Sequence, residues 1–124
     1  MNNPLLTWKE LPYPSSEDRN LHTSTLFKNY IITFGGYSNK SKAFLGFTIL
    51  NLNSGSYEDF ILKGDKISQR SKHSACLLDM NKILIFGGFT GDKILNDTVM
   101  ITIKETIRTL ILLLSNLIVL KHLH

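Results

Sequence analysis

A single cysteine, three arginines and no apolar run of bilayer length set the first limits on this chain of 124 residues. With Cys76 alone, no intrachain disulfide forms. Its setting, Ser74-Ala-Cys-Leu-Leu78, reads as an apolar strand in which a free thiol behaves as a small buried hydrophobe. His73 lies three residues away, on the opposite face of such a strand, so the two do not make a nucleophile and its base. The net charge of +4 comes mostly from scattered lysines, with arginines only at 19, 70 and 108. No basic run marks a nucleic-acid surface, and none is expected as a partner. The start of the chain has no basic segment followed by a long apolar one, so it is not read as a signal peptide, and a cytoplasmic, reducing setting is expected. The longest apolar stretch, Leu110 to Leu120, is about half of the ~20 residues that a membrane span needs and is interrupted by Ser115-Asn116.

Catalytic and cofactor signals are equally sparse. Gly87-Gly-Phe-Thr-Gly-Asp-Lys93 looks like a phosphate loop but has no Ser or Thr after the lysine and no helix pattern behind it. Glu17-Asp18 and Glu58-Asp59 are neighbours in sequence, so on strands they point to opposite faces and make poor acid–base pairs. His122 and His124 fall short of a metal site. The expectation is no enzyme, no cofactor and no metal. The hydrophobic share, 43%, is nevertheless enough for a packed core.

What the chain does have is a repeat. Phe34-Gly35-Gly36 returns as Phe86-Gly87-Gly88, and the surroundings return with it. Arg19…His22 and Arg70…His73 stand upstream, the apolar runs Tyr30–Phe34 and Ile83–Phe86 lead in, and the aromatics Tyr37 and Phe89 follow. The offset of about fifty residues is that of a repeat architecture. Each unit reads as four short strands. In the first they are 22–27, 30–34 (with no polar alternation, hence buried on both faces), 44–50 and 56–62. In the second, three are read, 73–78, 82–86 and 97–103, the last rich in β-branched residues, before the apolar tail begins. Trp8–Leu11 reads as a further outer strand, with Tyr57 spaced like Trp8. Recurrence of Arg19, His22, Arg70 and His73 in both units speaks for a role in building the unit rather than for a unique active site.

Four strands per fifty residues, the double glycine, the Arg-x-x-His and the aromatic positions together resemble the kelch repeat. The resemblance covers roughly residues 6–103, with Trp8 and Tyr57 near the family's fourth-strand tryptophan. It departs from the pattern at Tyr57, which is not Trp, and after Ile103, where no equivalent follows. The resemblance implies an all-β fold of two four-stranded antiparallel propeller blades with an apolar C-terminal tail, strand or helix. The organisation expected is an N-terminal outer strand and loop at 1–20, blades at 21–69 and 70–105, and a tail at 106–124 outside the repeat. Because propellers close with about four to eight blades, two blades imply a fragment of a larger propeller, or self-association through exposed blade faces. The function implied is a non-catalytic module binding a protein partner through the loops after each Gly-Gly: Tyr37, Ser38, Asn39 and Lys40, and Phe89, Thr90, Asp92 and Lys93. Two alternatives stand beside it: part of a kelch-propeller enzyme whose active site lies in further blades, and a membrane-associated protein held by the apolar tail.

Overall fold

The computed structural model describes residues 18–114. Trp8, His122, His124 and the end of the apolar tail lie outside the described residues. The described chain forms a four-stranded antiparallel sheet, a five-stranded sheet that is antiparallel but for one strand crossing over from the first repeat, and a two-stranded flap.

In the first sheet β1 (Thr23–Phe27) and β2 (Tyr30–Phe34) form a hairpin around Lys28-Asn29. A two-stranded flap follows, β3 (Tyr37–Ser38) paired with β4 (Ala43–Phe44). β5 (Phe47–Asn51) then returns along β2, and β6 (Ser56–Glu58) closes the outer edge. The second sheet repeats this order with β8 (Ser74–Asp79), β9 (Lys82–Phe89), β10 (Ile94–Lys104) and β11 (Thr109–Leu114), the last two joined by one 3₁₀ turn at Glu105–Ile107. The apolar tail is thus a strand as far as Leu114, paired along the whole of its length with β10. Its placement follows from its composition: Leu110 and Leu112 enter the core on one face of the strand.

The segment expected as one strand over 56–62 is split. Phe60 turns inward and stacks edge-to-face on Tyr30 at 5.7 Å, and the chain leaves the first sheet at that point. The following residues form β7 (Ile61–Gly64), which pairs in parallel with β11 of the second sheet. The second sheet therefore has five strands in the order β7-β11-β10-β9-β8.

The core lies between the sheets. Phe27, Tyr30, Ile32, Phe34 and Ile49 of the first sheet meet Ile83, Ile85, Val99, Ile101, Ile103, Leu110 and Leu112 of the second in one cluster. Each fully buried Leu or Ile contributes about 1.5–3 kcal/mol. β2 is not buried on both faces, as its unbroken apolar run led one to expect. Tyr30, Ile32 and Phe34 face the second sheet, while Ile31 and Thr33 are half-buried on the other side. Cys76 also departs from expectation, being exposed. It pairs with Leu84 on the edge strand β8, on the face of the second sheet turned away from the core, while its neighbour Ala75 packs inward.

Candidate interaction surface

Gly35-Gly36 directly follow the second strand of the first sheet and Gly87-Gly88 lie in the last residues of the second strand of the other, and each Arg-x-x-His leads into the first strand at the same end. The glycines are shaped by that neighbourhood. Gly36 has φ +91, and a side chain there meets the Asn20 carbonyl oxygen at 2.5 Å and His22 Cβ at 2.9 Å. Gly88 has φ +116 and faces Ser71, His73 and Arg70 in the same way. The second glycine of each pair thus accommodates the Arg-x-x-His of its own sheet. The first glycine does something else. Gly35, at φ +78, lies against the Arg70 carbonyl and the His73 ring of the other sheet. The Gly36 amide donates to the Arg70 carbonyl at 2.8 Å, and the Lys72 amide donates to the Leu21 carbonyl at 3.1 Å. The pair therefore joins one blade to the next as well as turning the chain.

The two arginines hold the loops from below. Arg70 is fully buried. Its guanidinium donates to the Gly87 carbonyl at 3.2 Å, and to both carboxylate oxygens of Asp97, Nη2 reaching Oδ2 at 3.1 Å. Its Nε donates to the Ser68 carbonyl at 3.0 Å. Arg19 repeats the first contact, Nη1 to the Gly35 carbonyl at 2.7 Å, but its second partner is the Gly46 carbonyl at 2.9 Å. The registers Phe34↔Phe47 and Phe86↔Thr98 place Gly46 where the second sheet has Asp97. The first unit thus replaces a buried ion pair by backbone acceptors. The pairing of Asp97 with Arg70 escaped the sequence analysis; the signal was available as an acidic residue near the start of the third strand, with an arginine otherwise without a carboxylate upstream.

The histidines differ in the same manner. His73 Nε2 is 2.8 Å from the Thr23 hydroxyl, and its ring meets Phe34 edge-on with centroids 5.1 Å apart. Burial first, then the Arg70 charge, hold its pKa below the usual 6.5, with the Phe34 backbone partly offsetting them. His22 is exposed, its pKa lowered by partial burial and by Arg19. Tyr57 sits on β6 opposite Leu50, half-buried.

The connections after the glycines form one surface. Asp18 accepts from the Ser38 hydroxyl at 2.9 Å and from the amides of Lys40 and Asn39 at 3.1 and 3.2 Å, which holds its carboxyl below the usual range. Ser38 is fully buried by this arrangement, a prop of the loop rather than part of its outer face. Tyr37 and Phe44 stack edge-on across the flap at 5.1 Å. On the second sheet the Thr90 hydroxyl donates to Asp92, the Thr90 amide donates to the Lys93 carbonyl, and Lys72 Nζ lies 5.6 Å over the Phe89 ring. A Cβ built at Gly91 comes 3.2 Å from Phe44 Cε2, so the two loops touch. Asn39, Lys40, Asp92 and Lys93 stand exposed on their outer side. Among the described residues, no three His, Cys, Asp or Glu side chains converge to hold a metal, and no helix is long and apolar enough to cross a membrane.

The profile of the KLHDC2/KLHL20/DRC7 Kelch-repeats domain matches residues 6–113. The chain belongs to the kelch-repeat family. No individual curated protein matches it. Within this kelch domain the match runs through the parallel strand β7 and almost to the end of β11.

Proposed function

We propose that this kelch domain is a non-catalytic protein-interaction module, and that its contact surface is the joined pair of loops after the double glycines. The observation that carries this reading is the contact between Gly91 and Phe44, which makes one continuous surface of two loops from successive blades. Exposed loops on a rigid sheet scaffold are where such folds present variable side chains to partners. The scaffold is rigid for reasons already given: Asp18 holds one loop by three hydrogen bonds, and Arg70 holds the root of the other. Asn39, Lys40, Asp92 and Lys93 supply the outward groups, with Tyr37, Phe89 and Thr90 half-buried beneath them. The partner is a protein.

The test is site-specific crosslinking in cells. A photoreactive amino acid is placed at Lys40 or Lys93, and separately at Asn53 or Met80, which occupy the turns at the opposite end of the sheets. A defined protein adduct at the first two positions and none at the second two is expected. Equal labelling at both ends overturns the assignment.

A further inference from the structure

Between the two blades, where the chain after β7 passes the start of β5, lies a cavity of about 410 Å³. Its apolar walls are Phe34 and Phe47 from one side and Leu62, Ile67 and Leu112 from the other. Gly46 also lines it and has no side chain to fill it; a Cβ there comes 3.2 Å from the Gln69 amide nitrogen. The parallel register sets Leu62 beside Leu110 and Gly64 beside Leu112. Leu62 thus shares a face with two buried core leucines, yet it is 53% exposed. The core-facing side of the crossing strand is left uncovered at this point.

The cavity is also short of acid. Lys63 and Lys66 line it, and neither meets a carboxylate among the described residues. Asp65 lines it too, but its carboxylate already accepts from the Leu114 amide at 2.9 Å. Arg19 donates to the Gly46 carbonyl at 2.9 Å, and its Nε is buried with no partner. At the matching place in the second blade stands Asp97, which pairs with Arg70. The first blade has Gly46 there, so both the carboxylate and its volume are missing. Cations beside apolar, poorly hydrated walls attract an anion more strongly than they would in open water.

We propose that this cavity binds a small apolar carboxylate, its hydrocarbon on Phe47, Leu62, Ile67 and Leu112 and its carboxylate toward Gly46, Gln69 and Lys66. Cavities of about 300–1,000 Å³ with apolar walls and a few convergent polar groups are of the size that holds small organic molecules. The ligand brings to the first blade the acid that Asp97 brings to the second. A neutral molecule of the same shape leaves the cations unanswered, and a cationic one is repelled by them. The site makes no use of the outward groups at Lys40 and Lys93, so this proposal and the loop-surface reading fail separately.

The test is a methyl-resolved NMR titration of the full chain with decanoate, and with decanol and decyltrimethylammonium as neutral and cationic probes of the same chain length. Decanoate is expected to shift the methyls of Leu62, Ile67 and Leu112 saturably, and to bind about tenfold more tightly than decanol. Decyltrimethylammonium is expected to give no saturable shift there. Lys66 is exposed, and Lys66→Gln should weaken decanoate about threefold while leaving decanol unchanged. Gly46→Asp, which carries its own carboxylate to the site, should abolish saturable decanoate binding. Absence of saturable shifts at the three methyls in wild type overturns the proposal. So does equal affinity for decanoate and decanol, which marks a plain apolar cavity, and so does a decanoate affinity that neither variant changes. Shifts spread over the exposed Met80 and Ile94 overturn it too, since they mark unspecific adsorption of a surfactant. Should Gly46→Asp not fold, the comparison of Lys66→Gln with wild type decides alone.

Discussion

Alanine at Gly35 and alanine at Gly87 change the same residue at the same place in two successive repeats, yet they should cost very different amounts. Both glycines have left-handed backbone, φ +78 and +71, so each substitution incurs about 1–2 kcal/mol of backbone strain. At Gly35 the new methyl also lies 2.5 Å from the Arg70 carbonyl oxygen and against the His73 ring. The carbonyl belongs to backbone that is held by the buried Arg70 side chain, so it cannot yield cheaply. Overpacking adds about 1–3 kcal/mol, and displacement of the Gly36 amide from its 2.8 Å bond to Arg70 adds about 1 kcal/mol. Gly35→Ala is therefore expected to lose about 4 kcal/mol. Gly87→Ala, whose Cβ meets only a carbonyl at 3.3 Å, should lose about 1–2 kcal/mol. Urea denaturation followed by circular dichroism measures both. Equal losses, within about 0.5 kcal/mol, would show that the first glycine serves only its own turn, and would refute the blade-to-blade role given to it.

Three further outcomes are expected. Asp97→Ala leaves the buried Arg70 without its carboxylate and should cost about 3 kcal/mol, the lower end for a buried pair because Asp97 is partly exposed; conversely Gly46→Asp, which gives Arg19 the partner it lacks, should gain about 0.5–1 kcal/mol, both read from urea midpoints. His73 is held below its usual pKa, so in the window just under pH 6.5 the unfolded chain binds more protons than the folded one; stability is full above that pH and falls as the pH drops below it, and His73→Gln should lessen the fall measured between about pH 7.5 and 5.5. Leu110→Ala, at a fully buried position of β11, should cost about 3 kcal/mol in the same assay and so report that the apolar segment is part of the core.

The repeat was legible because its physics is local. Phe-Gly-Gly, the β-branched run of β10 and the turn residues Lys28-Asn29 each announce themselves within a few positions, and they fix the four-strand unit. What escaped depends on partners distant in sequence. Cys76 and Ile31 lie in runs without polar alternation, and only the position of β8 and β2 relative to the other sheet decides which face is covered. Asp97 is informative only beside Arg70, twenty-seven residues earlier. Ser38 looked like a loop contact because serine is common in exposed turns, whereas Asp18 draws its hydroxyl inward. The difference between His22 and His73 was invisible in principle, since their sequence surroundings are alike and only the neighbouring blade separates them.

The parallel strand β7 has a consequence for how the chain assembles. It is the last piece of the first repeat in sequence, yet its hydrogen bonds belong to the second, where Ile61 and Asp65 amides donate to Arg108 and Leu112 carbonyls. Its partner β11 comes some forty-eight residues later, so this edge closes only after everything between them has been made. The unit that recurs in the sequence and the unit that folds are therefore out of phase. A cut at the repeat boundary severs a sheet, and a cut after β6 removes none of the second sheet but strips the first of the face that buries Phe34. Each repeat is finished by its neighbour, like tiles whose grout line runs through the pattern and not around it.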